Sequence, residues 1–258
     1  ELLNLYDIST VQFEPVDLSS LECAVGETAI FNDGVFGCFV GCGGRSCDAN
    51  KPCDDGSYTF YIPASCSDGL SQFVFYSKDG GETLFSSVIP AASGGGTPTV
   101  YPKAAVNGNT LYALVYEDPP ELHSITLDAN GDPEGSWQLE AVLNLDAAGA
   151  AVTTGTPARL VVDGDNLHIL VEDATAGSRF YTLGGNRVPT TGARKVFEIA
   201  QVISDMSACG DQIVTVGVDG NLQFSGDGGS AWRQLVAPDA YVADTTAVWI
   251  TGGRIWIG

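Results

Sequence analysis

The string LDANGDPEGSW carries the residues whose types and spacing best suit metal chemistry in this chain. Asp128, Asn130 and Asp132 stand at alternate positions, with Gly131 between the last two. Side-chain oxygens at positions 1, 3 and 5 of a loop are typical of the start of calcium-binding loops. The twelfth position, where such loops place a bidentate glutamate, is Leu139. The string therefore predicts either a calcium site, the one cofactor that the sequence suggests, or a long hairpin turn.

Two histidines are the next candidates for chemistry. His123 and His168 lie in similar apolar runs of neighbouring parts of the chain. Together they would bind a metal ion, whereas apart they are side chains of two strands, which is the interpretation we favour. Acidic pairs, Glu117–Asp118 and Glu172–Asp173, end corresponding runs. Solvated turns, or a rim that binds a cation or a basic partner, are the alternatives for these pairs.

Cysteine usage indicates the compartment. The disulfide candidates are Cys23, Cys38, Cys42, Cys47, Cys53 and Cys66. Their spacing matches no zinc pattern and no histidine is near, so disulfides are favoured over a metal site. The segment at about 38–66 is rich in Gly, Asp and Ser, and such a loop needs cross-links to hold it. We therefore expect a disulfide-stapled insertion and an extracytoplasmic location, secreted, periplasmic or at the cell surface. The seventh cysteine, Cys209, is predicted to be a buried free thiol.

Composition limits the partners. Acidic residues outnumber basic ones by 32 to 11, for a formal net charge of −21 over 258 residues. Nucleic acids and anionic membrane surfaces would be repelled by this charge. No apolar run approaches the roughly 18 residues of a membrane span. A protein partner is expected, with glycans as the alternative partner.

The elements that must position these residues are short strands. Runs rich in Val, Ile, Tyr and Trp are separated by Asn-Gly, Asp-Gly and Gly-Gly pairs, which suit tight hairpins. A strand, a glycine-centred turn and a second strand recur at 104–117, 159–173, 206–220 and 245–258, and more loosely at 22–40. A period of roughly 40–55 residues with about four strands in each unit is typical of a β-propeller.

The sequence thus predicts an all-β chain, a single propeller domain over 1–258 with about five four-stranded blades. Six blades, and a two-layer sandwich, are the alternatives. The last unit has only two strands, so we expect the N-terminal runs ELLNLYDIST and VQFEPVDL to complete it and close the ring. Closure would leave no open sheet edge between the chain ends.

A resemblance to a known family rests on two related strings. Ser77, Asp79, Gly81 and Thr83 in the first, and Ser225, Asp227, Gly229 and Trp232 in the second, resemble the Asp-box or BNR repeat of sialidase-like propellers, Ser-x-Asp-x-Gly-x-Thr-Trp. The first copy has Leu84 at the position of the pattern's tryptophan, and the second has Ala231 at the position of its threonine. The resemblance implies a structural hairpin between the outer strands of a blade, away from any central site.

The same resemblance bears on activity. A sialidase needs an arginine triad, a tyrosine nucleophile with a glutamate partner and an acidic acid/base, and no such set is recognisable. We therefore expect a non-enzymatic binding or structural propeller, a subunit of a larger surface or secreted assembly. A glycan-binding or glycan-hydrolysing propeller is the alternative, with Tyr112, Tyr116, Trp249 and Trp256 available as aromatic contacts, unless these are blade-core residues.

Overall fold

The computed structural model places strands over most of the repeat region. It describes residues 29–31, 35–37, 59–66, 72–78, 83, 85–90, 103–115, 119–144, 150–163, 166–173, 177–183, 195–199, 202–235, 248–251 and 253–257. Within these ranges every regular element is a strand, and the strands form five sheets.

The first two sheets follow each other along the chain. Sheet I contains β1 (Ala29–Phe31), β2 (Val35–Gly37), β3 (Thr59–Cys66), β4 (Gln72–Ser77) and β5 (Phe85–Ile89). Sheet II contains β6 (Lys103–Asn107), β7 (Thr110–Val115), β8 (Glu121–Leu127) and β9 (Pro133–Val142). In sheet I, β1 and β2 pair with opposite ends of β3 and so share the place of one first strand.

The remaining sheets repeat this order. Sheet III contains β10 (Thr156–Asp163), β11 (Asn166–Asp173), β12 (Gly177–Leu183) and β13 (Lys195–Ile199). Sheet IV contains β14 (Ile203–Cys209), β15 (Gln212–Gly217), β16 (Leu222–Ser225) and β17 (Arg233–Leu235). Sheet V contains β18 (Val248–Thr251) and β19 (Arg254–Ile257). All described pairs are antiparallel, and all but the β1–β3 pair join strands that follow each other in the chain.

Two-residue turns make the first hairpin of sheets II and IV. Asn107 pairs with Thr110, and Cys209 with Gln212, so two residues connect the strands in each case. The first of these connecting residues is a glycine with positive φ, 56° at Gly108. Such turns match the twist of the strands they join, which explains why glycine-centred pairs recur between the apolar runs.

The core lies between successive sheets. All six residues of β7 are buried, and alternate side chains point to opposite sides. Leu111 packs in the cluster shared with sheet I, and Leu114 packs in the cluster shared with sheet III. Further clusters join sheet III to sheet IV and sheet IV to sheet V. Burying a leucine of this kind contributes roughly 1.5–3 kcal/mol.

A row of small sheets, three of them four-stranded, each packed against the next in chain order, is the blade arrangement of a β-propeller. The all-β propeller class is therefore confirmed. The two-layer sandwich is wrong, because a sandwich has one interface between sheets and four successive ones are present here. The blade number stays a prediction. Ring closure by residues 1–18 lies outside the described residues, as does most of the cysteine-rich segment.

Candidate functional site

Three of the motifs found in the sequence occupy the same position in their sheets. Each connects the third strand to the fourth: the first Asp-box string joins β4 to β5, the Asp128 string joins β8 to β9, and the second Asp-box string joins β16 to β17. We call the last two the Asp128 turn (residues 128–132) and the Asp227 turn (residues 226–232). Their shared place lets their contacts be compared directly.

The Asp227 turn is organised around one carboxylate. Asp227 Oδ1 accepts hydrogen bonds from the backbone N–H groups of Ser230 and Ala231, each at 2.9 Å. It also lies 2.8 Å from the hydroxyl of Ser225, which accepts the N–H of Gly229 at 2.8 Å. These bonds satisfy the donors of a tight turn from within the turn itself.

The same turn packs against sheet III. A Cβ added at Gly229, whose φ is +86°, would stand 2.3 Å from a ring carbon of Phe180. Trp232 meets that ring edge-on at 5.1 Å and donates its indole N–H to the carbonyl of Gly229. The hydroxyl of Thr182 donates to the carbonyl of Gly228 at 3.2 Å. The Asp227 turn is thus a contact between sheets as well as a hairpin.

The first Asp-box string is described only in part. Ser77 is buried at the end of β4, Lys78 is exposed, and Thr83 is exposed beyond the turn. Asp79 and Gly81 lie outside the described residues, so the predicted hydrogen bonds of this copy stay a prediction.

The Asp128 turn also has a carboxylate at its centre. Asp128 Oδ1 accepts the backbone N–H groups of Asn130 and Asp132, both at 2.8 Å. Its Oδ2 lies 3.1 Å from the side-chain amide of Asn130. The bond from the Asp132 N–H is the main reason why the pKa of Asp128 is lowered from its ordinary value.

Two side chains of sheet I hold the Asp128 turn. The hydroxyl of Tyr61, a fully buried residue of β3, donates to the carbonyl of Gly131 at 2.6 Å. Lys78 Nζ lies 2.5 Å from Asp132 Oδ2 in an ion pair that is about one third exposed at both ends. Burial, followed by the negative charge of Asp132, raises the pKa of Tyr61 above its ordinary value.

These contacts bear on the predicted calcium site. Both oxygens of Asp128 accept hydrogen bonds from within the turn, and Asp132 is paired with the ammonium of Lys78. Asn130 turns its side chain toward Asp128. The three residues therefore do not converge on one point as calcium ligands would. Calcium binding stays a prediction, and the geometry favours the hairpin-turn interpretation.

A buried arginine that the sequence analysis did not single out ties sheet III to the segment that connects it to sheet II. Arg179 on β12 is 1% exposed and donates to the hydroxyl of Tyr181 at 2.8 Å and to the carbonyl of Thr154. Tyr181 in turn lies 3.4 Å from the carbonyl of Leu143. A Cβ at Gly155 would meet the guanidinium at 2.4 Å. The sequence signal that could have identified Arg179 is its position in an apolar strand, two residues before Tyr181.

A second polar link joins the first strands of three sheets. Asp205 on β14 binds Arg159 of β10 through Oδ1 at 3.2 Å. Its Oδ2 accepts the backbone N–H of Val248 on β18 at 3.0 Å. The hydroxyl of Ser207 similarly accepts the N–H of Ile250 at 3.1 Å. Both arginines described at sheet interfaces, Arg159 and Arg179, are thus engaged in holding sheets together.

The two histidines do not meet. His123 lies opposite Ala113 on the side of sheet II that faces sheet I, and its Nε2 is 2.9 Å from a carboxylate oxygen of Glu121. His168 lies in sheet III on the side that faces sheet IV, where it stacks on Phe180 and contacts Thr182. Each histidine is therefore a strand residue, and the paired-metal alternative is wrong.

The remaining aromatic and acidic candidates lie at different places in the structure. Tyr112 is buried between sheets II and III, so it belongs to the blade core. Tyr116 and the pair 117–118 lie outside the described residues, as does the side chain of Trp249. Glu172 is half-buried at the end of β11, and the side chain of Asp173 is not described. Trp256 is 45% exposed on β19.

The cysteines are described at two points only. Cys209 ends β14 as a free thiol. It was predicted to be buried but is only half-buried, because it lies beside the exposed hairpin turn at 210–211. Cys66 ends β3, but its side chain is not described. Cys23, Cys38, Cys42, Cys47 and Cys53 lie outside the described residues, so the disulfides stay a prediction.

Large apolar side chains are exposed on the fourth strands of two sheets. Phe85 and Val88 on β5 are 48% and 50% exposed, and Leu139 on β9 is 54% exposed. Trp137 of β9 donates its indole N–H to Ser87 of β5 at 3.0 Å, so the two outer strands approach each other. Sequence analysis did not select these residues, because strand runs alone do not indicate which strand is outermost.

The described ranges contain no group of three or more His, Cys, Asp or Glu residues placed to hold a metal ion. Nor do these ranges include a helix long and apolar enough to cross a membrane.

Comparisons with known proteins give structural likeness only. No protein-family model matches the chain, and no curated protein sequence matches it. A chain in the crystal structure of BBS1N in complex with ARL6DN is similar over 91% of this chain, at 13% identity and a TM-score of 0.47. The structure of YCF48 bound to D1 peptide is similar over 74%, at 13% identity and a TM-score of 0.39. The GH74 enzyme of Niastella koreensis is similar over 74%, at 11% identity and a TM-score of 0.37. This chain spans 61%, 66% and 40% of those three chains.

Proposed function

We propose that this chain is a non-catalytic propeller of the Asp-box superfamily that binds a protein partner outside the cytoplasm, as a subunit of a larger surface or secreted assembly. The observation that carries the proposal is the exposure of Phe85, Val88 and Leu139 on outer strands. Singly exposed apolar side chains are ordinary on a protein surface, whereas clustered ones mark contact surfaces. These three lie on two outer strands that approach each other through the Trp137–Ser87 hydrogen bond, so we take them as parts of one contact edge.

The contacts of the two arginines described at sheet interfaces support a binding role over a catalytic one. Arg179 is enclosed between sheets II and III, and Arg159 pairs with Asp205 between sheets III and IV. Neither guanidinium is placed to receive a substrate carboxylate. The carboxylates of Asp128 and Asp227 likewise accept N–H groups of their own turns, so their role is to fix the hairpins.

The extracytoplasmic location rests on the cysteines. Five of the seven fall in the poorly apolar stretch at about 38–66, Cys23 precedes it, and Cys209 stands apart from them as a free thiol. Alkylation of the unreduced, denatured protein should add one alkyl group, and alkylation after reduction should add seven. A mass that shows more than one free thiol without reduction would contradict the disulfide-stapled segment and with it this location.

Glycan binding is the second candidate function. Trp256 is 45% exposed on β19, and the backbone register places residue 249 of β18 opposite it. Exposed aromatic rings of this kind stack on sugar rings. A glycan array and a panel of glycosidase substrates test this candidate, with Trp256→Ala as the variant that should lose any array signal.

The decisive experiment reconstitutes a complex. The protein is incubated with its native secreted or envelope fraction, cross-linked without reductant, and the captured partner is identified by mass spectrometry. The partner is then purified and mixed with the chain, and the mass of the complex is measured by light scattering on a sizing column. We expect a complex of defined stoichiometry. A chain that stays monomeric with every captured protein, or that hydrolyses a glycan, contradicts the proposal.

A further inference from the structure

The fourth strands of sheets I to IV differ in how their outer edges are protected. An edge strand presents unpaired backbone groups, and proteins usually guard it with charges, proline, bulges or short length. Strand β9 contains Glu134 and Glu140, begins with Pro133 and has two register shifts. Strand β13 contains Lys195 and Glu198. Strand β17 has three residues, one of which is Arg233.

Strand β5 has none of these protections. Its sequence, FSSVI, is uncharged and free of proline. Its register with β4 runs from Gln72–Ile89 to Tyr76–Phe85 without a shift. Within the described residues β4 is the one strand whose backbone pairs with it, and Phe85, Ser86 and Val88 are exposed. Of the four outer strands, β5 is therefore the one best suited to accept another strand.

The strand is also held rigidly in place. Ile89 is 1% exposed, and Ser87 accepts the indole N–H of Trp137 at 3.0 Å. Phe85 stacks on Tyr76 at 5.4 Å between ring centroids. Because these contacts fix β5 before a partner arrives, strand addition would cost little ordering of this chain.

We infer that β5 is a docking edge for an extended, basic segment of a partner protein, which adds to sheet I as a further strand. Its backbone would pair with β5. Phe85 and Val88 are three residues apart in the strand and so lie on opposite faces of the sheet. Apolar side chains on one face of the added strand would contact Val88, and a residue on its other face would lie beside Phe85. This inference rests on the proposed function, since it specifies the partner contact of the same binding module.

Charge selects this occupant over a second copy of the chain. The formal net charge is −21, so two copies meeting edge to edge would repel each other strongly. A segment rich in lysine or arginine would instead be attracted by the same field. Since β5 itself is uncharged, the attraction acts from the surrounding molecule and should weaken with salt.

Synthetic peptides of ten residues test the edge directly. The probes are an alternating lysine–valine peptide, an alternating glutamate–valine peptide, and the lysine–valine peptide with N-methyl groups on alternate residues. Binding is measured by fluorescence anisotropy at low and high salt to the wild type, Val88→Lys and Val218→Lys. Val218 is 70% exposed on the turn after β15, so its variant makes the same change away from β5.

We expect the lysine–valine peptide to bind the wild type and the Val218→Lys variant equally. Binding to Val88→Lys, and of the N-methylated peptide to the wild type, should be at least about tenfold weaker. Equal affinity of Val88→Lys and Val218→Lys overturns the inference, as does equal binding of the basic and acidic peptides or no binding at all. Circular dichroism of both variants checks that the fold is kept.

The outcomes separate this inference from the proposed function. If the reconstituted partner complex forms with the wild type and equally with Val88→Lys, the partner-binding function stands and the β5 edge is overturned. If no partner complex forms, the proposed function fails, and the peptide measurement still decides whether β5 accepts a basic strand.

Discussion

The Asp128 turn and the Asp227 turn occupy the same place in two sheets and dock on the preceding sheet by different chemistry. The Asp227 turn presses a glycine backbone against the ring of Phe180, and Trp232 closes over the same ring. The Asp128 turn instead receives a buried hydroxyl from Tyr61 and an exposed ammonium from Lys78. One contact is steric and apolar, and the other is polar.

The difference shows what the repeated position requires. In both turns a carboxylate accepts two backbone N–H groups, so the same hydrogen-bond pattern forms the hairpin in the two sheets. The contact with the neighbouring sheet is free to vary, because close packing and hydrogen bonding to a buried carbonyl both stabilise an interface. The two turns should therefore respond to different substitutions.

The largest effect is expected for Gly229→Ala. Positive φ alone costs a non-glycine residue roughly 1–2 kcal/mol, and displacing the ring of Phe180 adds about 1–3 kcal/mol, as overpacking of a core does. We expect a loss of about 2–5 kcal/mol in the free energy of unfolding, measured by chemical denaturation.

Gly108→Ala is the matched control for Gly229→Ala. Gly108 has φ of +56°, and a Cβ there would meet nothing within 4 Å, so this variant reports the backbone cost alone. Combining Gly229→Ala with Phe180→Leu should recover part of the loss, since neighbouring sites couple. Equal losses in the two alanine variants would show that the Phe180 contact has no energetic weight.

Part of this arrangement follows from sequence. The strings around Asp227 and Asp128 predict turns, because Asp and Gly at these spacings supply the acceptor and the positive φ of a hairpin. The blade repeat follows from alternating apolar strands separated by such turns. These features are local, and local spacing specifies them.

The contacts between sheets could not be predicted in the same way. Tyr61 and Gly131 are 70 residues apart, and Phe180 and Gly229 meet only when sheets III and IV pack together. The same holds for the exposure of Val88, since a run of strand residues does not reveal which of its edges faces solvent. At Asp128 the acidic spacing suggests metal ligands, whereas in the structure the N–H groups of Asn130 and Asp132 donate to its carboxylate, a use of the oxygens that spacing alone does not reveal.

The next effect is expected for Tyr61→Phe, which should destabilise the protein by about 1 kcal/mol at neutral pH, because a buried hydrogen bond to the carbonyl of Gly131 is lost. The pKa of Tyr61 is raised in the folded state, so the wild type should also lose stability as the pH rises above 10, and the variant should lose less. Denaturation curves at neutral and alkaline pH measure both. Tyr76→Phe is the comparison variant: burial and then the charge of Asp132 raise the pKa of Tyr76 as well, so its alkaline slope should also fall. Identical alkaline slopes for the wild type and Tyr61→Phe would contradict the account.

Asp128→Asn should lower the free energy of unfolding by a smaller amount, and this loss should depend on pH in the acid range. The folded-state pKa of Asp128 is lowered by the N–H of Asp132, so the ionised form stabilises the fold above the ordinary value of 3.8. That stabilisation is lost as the pH falls through the lower folded pKa. The stability difference between wild type and variant should therefore be present at neutral pH and shrink below pH 3.8. A difference that stays constant across this range would mean that the charge of Asp128 does not hold the turn.

The smallest effect is expected at the Lys78–Asp132 ion pair. Both side chains are 36% exposed, and pairs of this kind contribute about 0.2–1 kcal/mol and weaken with salt. Because the chain is strongly acidic, Lys78→Met also adds to its net repulsion, whereas Asp132→Asn relieves it, so neither single variant isolates the pair. A double-mutant cycle cancels these opposite terms. The coupling free energy of the pair is compared with the stability lost in Tyr61→Phe. A smaller coupling, which falls further in high salt, would identify the buried hydrogen bond as the main anchor of the Asp128 turn. A larger, salt-independent coupling would transfer that role to the ion pair.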